Sequence, residues 1–208
     1  MKNYHYTENW FYPRPLLGSA SEDLASNLPV NDTQERHILE IGSFEGKSTI
    51  WFLENLLQNN NSTITCIDPW TSYSQDTNSF NSYNKSDAEW DFTSHKETFL
   101  YNISQSGVES KTIVKQGYST EIIPQLILEQ KQYDIIFIDG NHTAPFVLMD
   151  AVLSWNCLKS EGVMIFDDYT WGNGRLGPQL AIDSFINIFT DYCDIVYSGY
   201  RKAIKKIK

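Results

Sequence analysis

The segment Ile38-Leu-Glu-Ile-Gly-Ser-Phe-Glu-Gly-Lys-Ser-Thr49 restricts the architecture of this 208-residue chain more than any other. A short apolar run carries Glu40, glycines follow at Gly42 and Gly46, and a helical pattern opens at Lys47. Strand, tight turn and helix start, in that order, form the first unit of a doubly wound α/β sheet, with the turn placed against a ligand. The G-x-x-x-G spacing differs from the G-x-G-x-x-G of dinucleotide sites. A bare helix N-terminus suits a pyrophosphate. An acidic residue just before the turn suits a ligand that carries positive charge.

From His37 onward, apolar runs alternate with helical patterns, as in βαβ units around a parallel sheet. Strands are expected at 37–41, 63–68, 112–115, 133–139, 162–167, 194–199 and 203–207, and helices at 47–58, 88–104, 120–130, 144–158 and 179–190. The helix at 88–104 has Asp87 as its expected cap and carries Trp90, Phe99 and Ile103 as a stripe. Thr143 should cap the helix at 144–158, with Pro145 in its first turn and Val147, Ala151 and Leu158 along one face. About three residues separate the last two strands. That gap permits a hairpin but no crossover, so the pair should run antiparallel. The expected fold is α/β, a doubly wound, mostly parallel seven-stranded sheet with an antiparallel C-terminal strand. Residues 36–208 form the single domain and residues 1–35 an N-terminal segment that covers acceptor or cofactor. The stretch 70–85, dense in Ser, Asn, Asp and Tyr, is a loop that reads either as a cover or as a solvated insertion.

Composition narrows the partners. A formal charge of −10 repels phosphate backbones and argues against nucleic acid. The basic end, Arg201-Lys-Ala-Ile-Lys-Lys-Ile-Lys208, reads as a solvated edge strand. No run reaches the roughly 18 apolar residues of a membrane span, and the first thirty residues lack a leader-like pattern. Cys66, Cys157 and Cys193 form no C-x-x-C pair and read as reduced packing residues, consistent with a cytoplasmic protein.

Ligands of an open parallel sheet bind beyond the C-terminal strand ends. The second strand ends at Asp68, where a carboxylate can accept ribose hydroxyls, and the third leads to Gly117-Tyr118-Ser119, which can reach a base. Ile135-Ile-Phe-Ile-Asp139-Gly-Asn-His142 sets a carboxylate and an imidazole three residues apart, and Asp167-Asp168 closes the next strand. Paired strands lie about 4.8 Å apart, so Asp139, Asp167 and Asp168 would converge. Clustered carboxylates protonate unless a hard cation holds them. All-oxygen ligands point to magnesium, with calcium and manganese as alternatives. In the competing reading Asp139 caps the next helix and one of the paired acids faces solvent. His142 titrates in the right range to accept a hydroxyl proton, whereas His5, His37 and His95 read as packing or surface residues. Trp70, Tyr169 and Trp171 flank the expected mouth, either as an acceptor cover or as packing.

These motifs resemble class I methyltransferases, with Glu40 and Asp68 as the acidic members. From Glu40 to about Trp171 the chain is similar to metal-dependent small-molecule O-methyltransferases. The catechol O-methyltransferase pattern is matched at Leu39–Ser48, at Gly117–Leu126, and at Asp139 and Asp167. Asp167-Asp168 in place of Asp-Asn, and His142 in place of a lysine base, fit better with macrocin O-methyltransferase-like enzymes. The resemblance implies magnesium at Asp139, Asp167 and Asp168 and His142 as general base, with Asp139 also in the catalytic set. It implies S-adenosyl-L-methionine, whose ammonium and sulfonium suit an acidic turn, at Glu40, Gly42, Ser43, Phe44, Gly46, Ser48, Asp68, Gly117, Tyr118, Ser119 and Asp139. The expected activity is methyl transfer to a hydroxyl of a small sugar, polyketide or phenol; the sequence leaves the oligomeric state open, with a homodimer among the options. The alternatives are a nicotinamide-dependent oxidoreductase and a methyltransferase-like binding protein without catalysis.

Overall fold

The computed structural model describes residues 2–11, 33–71, 93–172 and 177–208. Its strands are β1 (His37–Ile41), β2 (Thr63–Asp68), β3 (Thr112–Gln116), β4 (Tyr133–Ile138), β5 (Leu158–Phe166), β6 (Cys193–Ser198) and β7 (Lys202–Lys206). Between them run helices α1 (Lys47–Asn55), α2 (Thr93–Ser106), α3 (Ser119–Leu128), α4 (Ala144–Trp155) and α5 (Pro178–Ile188). The seven strands form one sheet in the order β3-β2-β1-β4-β5-β7-β6. β1 to β5 pair in parallel, and β7 runs antiparallel to both β5 and β6.

Alternation along the strands builds a core on each face of the sheet. Leu39, Ile41, Ile136, Ile138, Met164 and Phe166 pack with α3, α4 and α5 through Ile123, Val147, Ala151 and Phe185. Ile38, Ile64, Cys66, Ile135, Phe137 and Ile165 pack with α1 and α2 through Ile50, Phe52, Phe99 and Ile103. Each Leu, Ile, Val, Met or Phe among them contributes about 1.5–3 kcal/mol by leaving water. The order also places the strands closing at Asp68, Ile41, Asp139 and Asp167 side by side. Ile138 is level with Phe166, and the N–H groups of Asp139 and Asp167 continue the ladder to Ile41 and Ile138 (2.8 and 2.9 Å).

Several local expectations change. β5 begins at Leu158, not at 162, because Lys159 is held in the sheet by Asp134 (2.8 and 2.9 Å), which masks the polar start of the strand. Leu158 thus belongs to a strand and not to the face of α4. Thr143 takes the cap position of α4, but its hydroxyl donates to Asn141 Oδ1 (2.7 Å) and accepts no helix N–H. Pro145 lies in the first turn, as its missing N–H allows. The basic end is no exposed edge. β7 lies between β5 and β6, with Ala203 and Ile204 fully buried. Its lysines are engaged, Lys205 with Glu161 (2.6 Å) and Lys206 with the carbonyls of Trp155 and Leu158. Cys66, Cys157 and Cys193 are free and buried. Asp87, Trp90 and most of the 70–85 loop lie outside the described residues. Among the described residues, no helix is long and apolar enough to cross a membrane.

Candidate active site

β1 delivers the glycine turn to the C-terminal edge of the sheet. Gly42 has φ 86°, and a Cβ there would lie 2.0 Å from the Asp139 carbonyl oxygen. Only glycine admits that approach. Asp68 fastens the turn from the neighbouring strand. Its Oδ2 accepts the N–H groups of Ser43 (3.0 Å) and Phe44 (2.9 Å), and its Oδ1 accepts that of Trp70 (2.7 Å). Phe44 and Trp70 both have left-handed backbones, φ 46° and 43°. Such strain persists only where the surroundings over-determine it, and the Asp68 clamp does so here.

Glu40 is fully buried beneath the turn. Its carboxylate accepts hydroxyl hydrogen bonds from Ser43 (2.7 Å), Ser48 (2.6 Å) and Thr49. Burial raises its pKa despite those three donors, and burial likewise raises that of Asp68 against its three N–H groups. Of the residues expected to meet a cofactor, Gly42, Ser43, Phe44 and Gly46 form the turn itself, whereas Glu40, Ser48 and Asp68 shape it from behind. Gly117-Tyr118-Ser119 follows β3 beside Asp68, joined by the Gly117 N–H to the Asp68 carbonyl (3.1 Å). Tyr118 is exposed at the cap position of α3. Ser119 is hydrogen-bonded to Asp150, a buried acid on α4 whose burial pushes it up to about 7 and whose Oδ1 has no hydrogen-bond partner.

On the other side of Gly42 stand the acids. His142 Nε2 lies 3.6 Å from Asp139 Oδ1 and 3.2 Å from Asp168 Oδ2. Asp139, His142 and Asp168 each offer one ligand atom, and these atoms all lie within 4.8 Å of one another. Two carboxylates and an imidazole, 26%, 15% and 34% exposed, open to a ligand. Asp167, expected among them, turns onto Arg201 instead (2.7 Å). Burial and the Asp167 charge raise the Asp139 pKa, with His142 acting in opposition. Burial works to lower His142, but its bond to Asp139 and the surrounding carboxylates outweigh that and push it up to about 9. Burial also raises Asp168, against the pull of His142. Converging carboxylates thus favour the charged imidazole, and the imidazole in turn restrains the rise of both acids.

The N-terminal segment lies across the same edge. Glu45, in the glycine turn, accepts both the N–H and the hydroxyl of Thr7 (2.7 Å each) and pairs with His95 Nδ1 (2.9 Å). Buried Asn102 exchanges hydrogen bonds with the His5 backbone and donates to the Glu45 carbonyl. Trp10 stacks on Phe44 with centroids 5.0 Å apart, and His95 packs on Phe44 at 4.4 Å. His95 thus belongs to the support of the turn, a role its sequence neighbours do not reveal.

Of the three aromatic candidates at the mouth, Trp70 is buried and donates Nε1–H to the Phe44 carbonyl (2.8 Å). Tyr169 bonds Asp183 and lies under Lys202 Nζ (4.2 Å). Trp171 alone remains exposed, 5.0 Å from the His142 ring. Sequence reasoning missed Glu45, Asn102, Asp150, Tyr200 and Arg201. Glu45 was visible inside the glycine turn, and a buried partner for it was the available signal.

The sequence matches a methyltransferase domain family over residues 39–169. It is 30% identical over 180 residues to uncharacterized protein R132 of Acanthamoeba polyphaga mimivirus, covering 86% of this chain and 70% of that one. It is 28% identical over 109 residues to a catechol O-methyltransferase of Niastella koreensis, covering 52% of this chain and 38% of that protein. The fold resembles the O-methyltransferase TomG of Streptomyces achromogenes, involved in tomaymycin synthesis and solved with SAM, at a TM-score of 0.60 and 18% identity, covering 85% and 75% of the two chains. The sheet order, the glycine turn and these matches agree: the chain belongs to the methyltransferase domain family and has the class I methyltransferase fold.

Proposed function

We propose that the chain is an S-adenosyl-L-methionine-dependent O-methyltransferase acting on a hydroxyl of a small molecule of the sugar, polyketide or phenol type. The observation that carries this reading is the contact of Gly42 with the Asp139 carbonyl, which sets the cofactor turn directly beside the Asp139–His142–Asp168 cluster. A cofactor lying from Gly117-Tyr118-Ser119 past Asp68 to Gly42 would present its methyl group towards that cluster. The TomG complex with SAM supports the cofactor assignment by analogy of fold.

Asp139 and Asp168 fit a hard divalent cation, magnesium first and calcium or manganese as alternatives. Magnesium is commonly held by one or two carboxylates together with substrate and water oxygens. When bound, such an ion lowers the pKa of an acceptor hydroxyl. His142 takes that proton once the negative charge around it is compensated, since that charge is what holds its own proton. The acceptor oxygen then attacks the methyl carbon in line, a C–O bond forms, the C–S bond breaks, and S-adenosylhomocysteine leaves with the electron pair. Two substrates must be aligned head-on, so positioning supplies much of the acceleration. Exposed Trp171 beside His142 offers a face for the acceptor ring. The net charge of −10 favours a small acceptor over nucleic acid.

Calorimetry with S-adenosylhomocysteine, with and without MgCl2, followed by methyl transfer to a panel of sugars and phenols, tests the proposal. Binding of S-adenosylhomocysteine and magnesium-stimulated transfer are expected. Full activity after exhaustive EDTA treatment removes the cation, and failure to bind S-adenosylhomocysteine removes the function.

A further inference from the structure

Asp167 and Asp168 are neighbours in sequence, yet the turn joining β6 to β7 gives them different partners. Arg201 offers Asp167 a full positive charge: Nη2 lies 2.7 Å from Asp167 Oδ2, and the two side chains are only 7% and 6% exposed. The other oxygen, Oδ1, accepts the Asp168 N–H at 2.8 Å. Protein donors thus occupy both Asp167 oxygens. Tyr200, one residue before Arg201, gives Asp168 only a neutral hydroxyl, on Oδ1. Asp168 Oδ2 stays on the open side, facing His142. The left-handed backbone at Asp168, φ 53°, bends the chain between the two acids. The Arg201 guanidinium lies 4.8 Å from the Phe11 ring and 5.8 Å from the Phe137 ring. An ion pair enclosed in this way is strongly destabilising to break, because either partner alone would be a bare buried charge.

Resting on the cation-assisted reading above, we propose that Arg201 is a positioning residue that withholds Asp167 from the cation. Among the described residues, Asp139 and Asp168 then supply the carboxylate ligands and leave the remaining positions for acceptor oxygens. Two carboxylates match the charge of one divalent ion. A third would tighten its binding and take a position that the acceptor needs. The β6–β7 turn therefore sets both the charge and the openness of the centre, although it lies more than thirty residues beyond the acids it controls.

The test is calorimetric titration of the intact protein with MgCl2 and with MnCl2, comparing wild type, Asp167→Asn, Asp168→Asn and Arg201→Met. Asp167→Asn should bind within about threefold of wild type, and Asp168→Asn should lose at least about tenfold, in the range typical for loss of an interaction at a metal site. Arg201→Met should bind about tenfold more tightly, because it frees a third carboxylate. Its thermal midpoint should lie below wild type without cation and rise more steeply with added MgCl2. A purely structural arginine would show the lower midpoint without the tighter binding. The proposal is overturned if Asp167→Asn loses as much affinity as Asp168→Asn, or if Arg201→Met binds no more tightly than wild type. Should either variant that breaks the Asp167–Arg201 pair fail to fold, the double variant Asp167→Asn/Arg201→Met, which leaves no bare charge, decides: affinity within about threefold of wild type is expected, and a loss as large as that of Asp168→Asn overturns the proposal. A wild-type protein that takes up neither ion defeats the cation reading itself, an outcome distinct from a wild type that binds through Asp167.

Discussion

Replacing Asp150 with Asn isolates the energetics of a buried acid that the chemistry does not use. Asp150 is 2% exposed, and burial lifts its pKa from 3.8 to about 7, with its bond to Ser119 acting in opposition. Between these values the folded state holds a proton that the unfolded chain releases, so stability falls as pH rises from about 4 to about 7 and then levels off. The full penalty above neutrality is about 4 kcal/mol, of which about 1.5 kcal/mol is already present at pH 5. Asn cannot ionise, and any cost of its amide in the site is the same at both ends of the range. The stability of Asp150→Asn relative to wild type should therefore improve by about 2.5 kcal/mol between pH 5 and pH 8.5. For a domain of this size that is about 5–10 °C in thermal midpoint. Urea unfolding of both proteins at the two pH values measures it. Asp139 and the other shifted acids are common to both proteins and cancel in the comparison. A difference between variant and wild type that stays constant within about 0.5 kcal/mol would refute the assignment of a neutral acid at this position.

Other expectations follow from the site. His142→Ala should reduce turnover by about 10²–10⁴-fold, the usual contribution of a general base, while S-adenosylhomocysteine affinity stays within about threefold; normal turnover would remove His142 from the mechanism. In the protein stripped of divalent ions, NMR titration of His142 should give a midpoint of about 9, lowered on adding MgCl2; an unshifted imidazole near its ordinary value would contradict the cluster geometry. Gly42→Ala drives a Cβ to 2.0 Å from the Asp139 carbonyl oxygen and should destabilise by about 4 kcal/mol or more, read as a lower urea midpoint. Glu45→Ala strips Thr7 and His95 of their acceptor and should cost about 3 kcal/mol, with a change in Trp10 fluorescence as its stacking on Phe44 loosens; an unaltered spectrum would show that the segment is held by other contacts.

What the sequence could reveal was local. The glycine turn, the Asp139-to-His142 spacing and the paired acids are each contiguous, and parallel-sheet periodicity is enough to place them on one edge. The single reversed strand also followed from the short gap before β7. Long-range pairing was hidden. Lys202–Lys206 alternates like an exposed edge, yet β7 is interior because β6 crosses beyond it and the lysine tips find carbonyls and Glu161. Arg201 and Tyr200 carry no local sign that they meet Asp167 and Asp168. Asp150 sits beside Ala151 on a largely apolar helix, where nothing in the pattern separates a buried acid from a solvated one. Glu40 and Asp68 were legible as acids at strand ends, but not the hydroxyl and N–H donors that turn them inward.

The extent of sequence similarity and the extent of the folding unit differ here, and the N-terminal strap shows why. The matched stretch, 39–169, contains Glu45 and Asn102, whose partners Thr7 and His5 lie before it, and Asp167, whose arginine lies after it. An excised fragment with those limits would keep every recognisable motif, yet Glu45 and Asn102 would each lose a partner and Asp167 its arginine. Grafting, truncation or tagging of proteins of this kind should therefore respect the outermost tether, not the edge of the recognisable pattern.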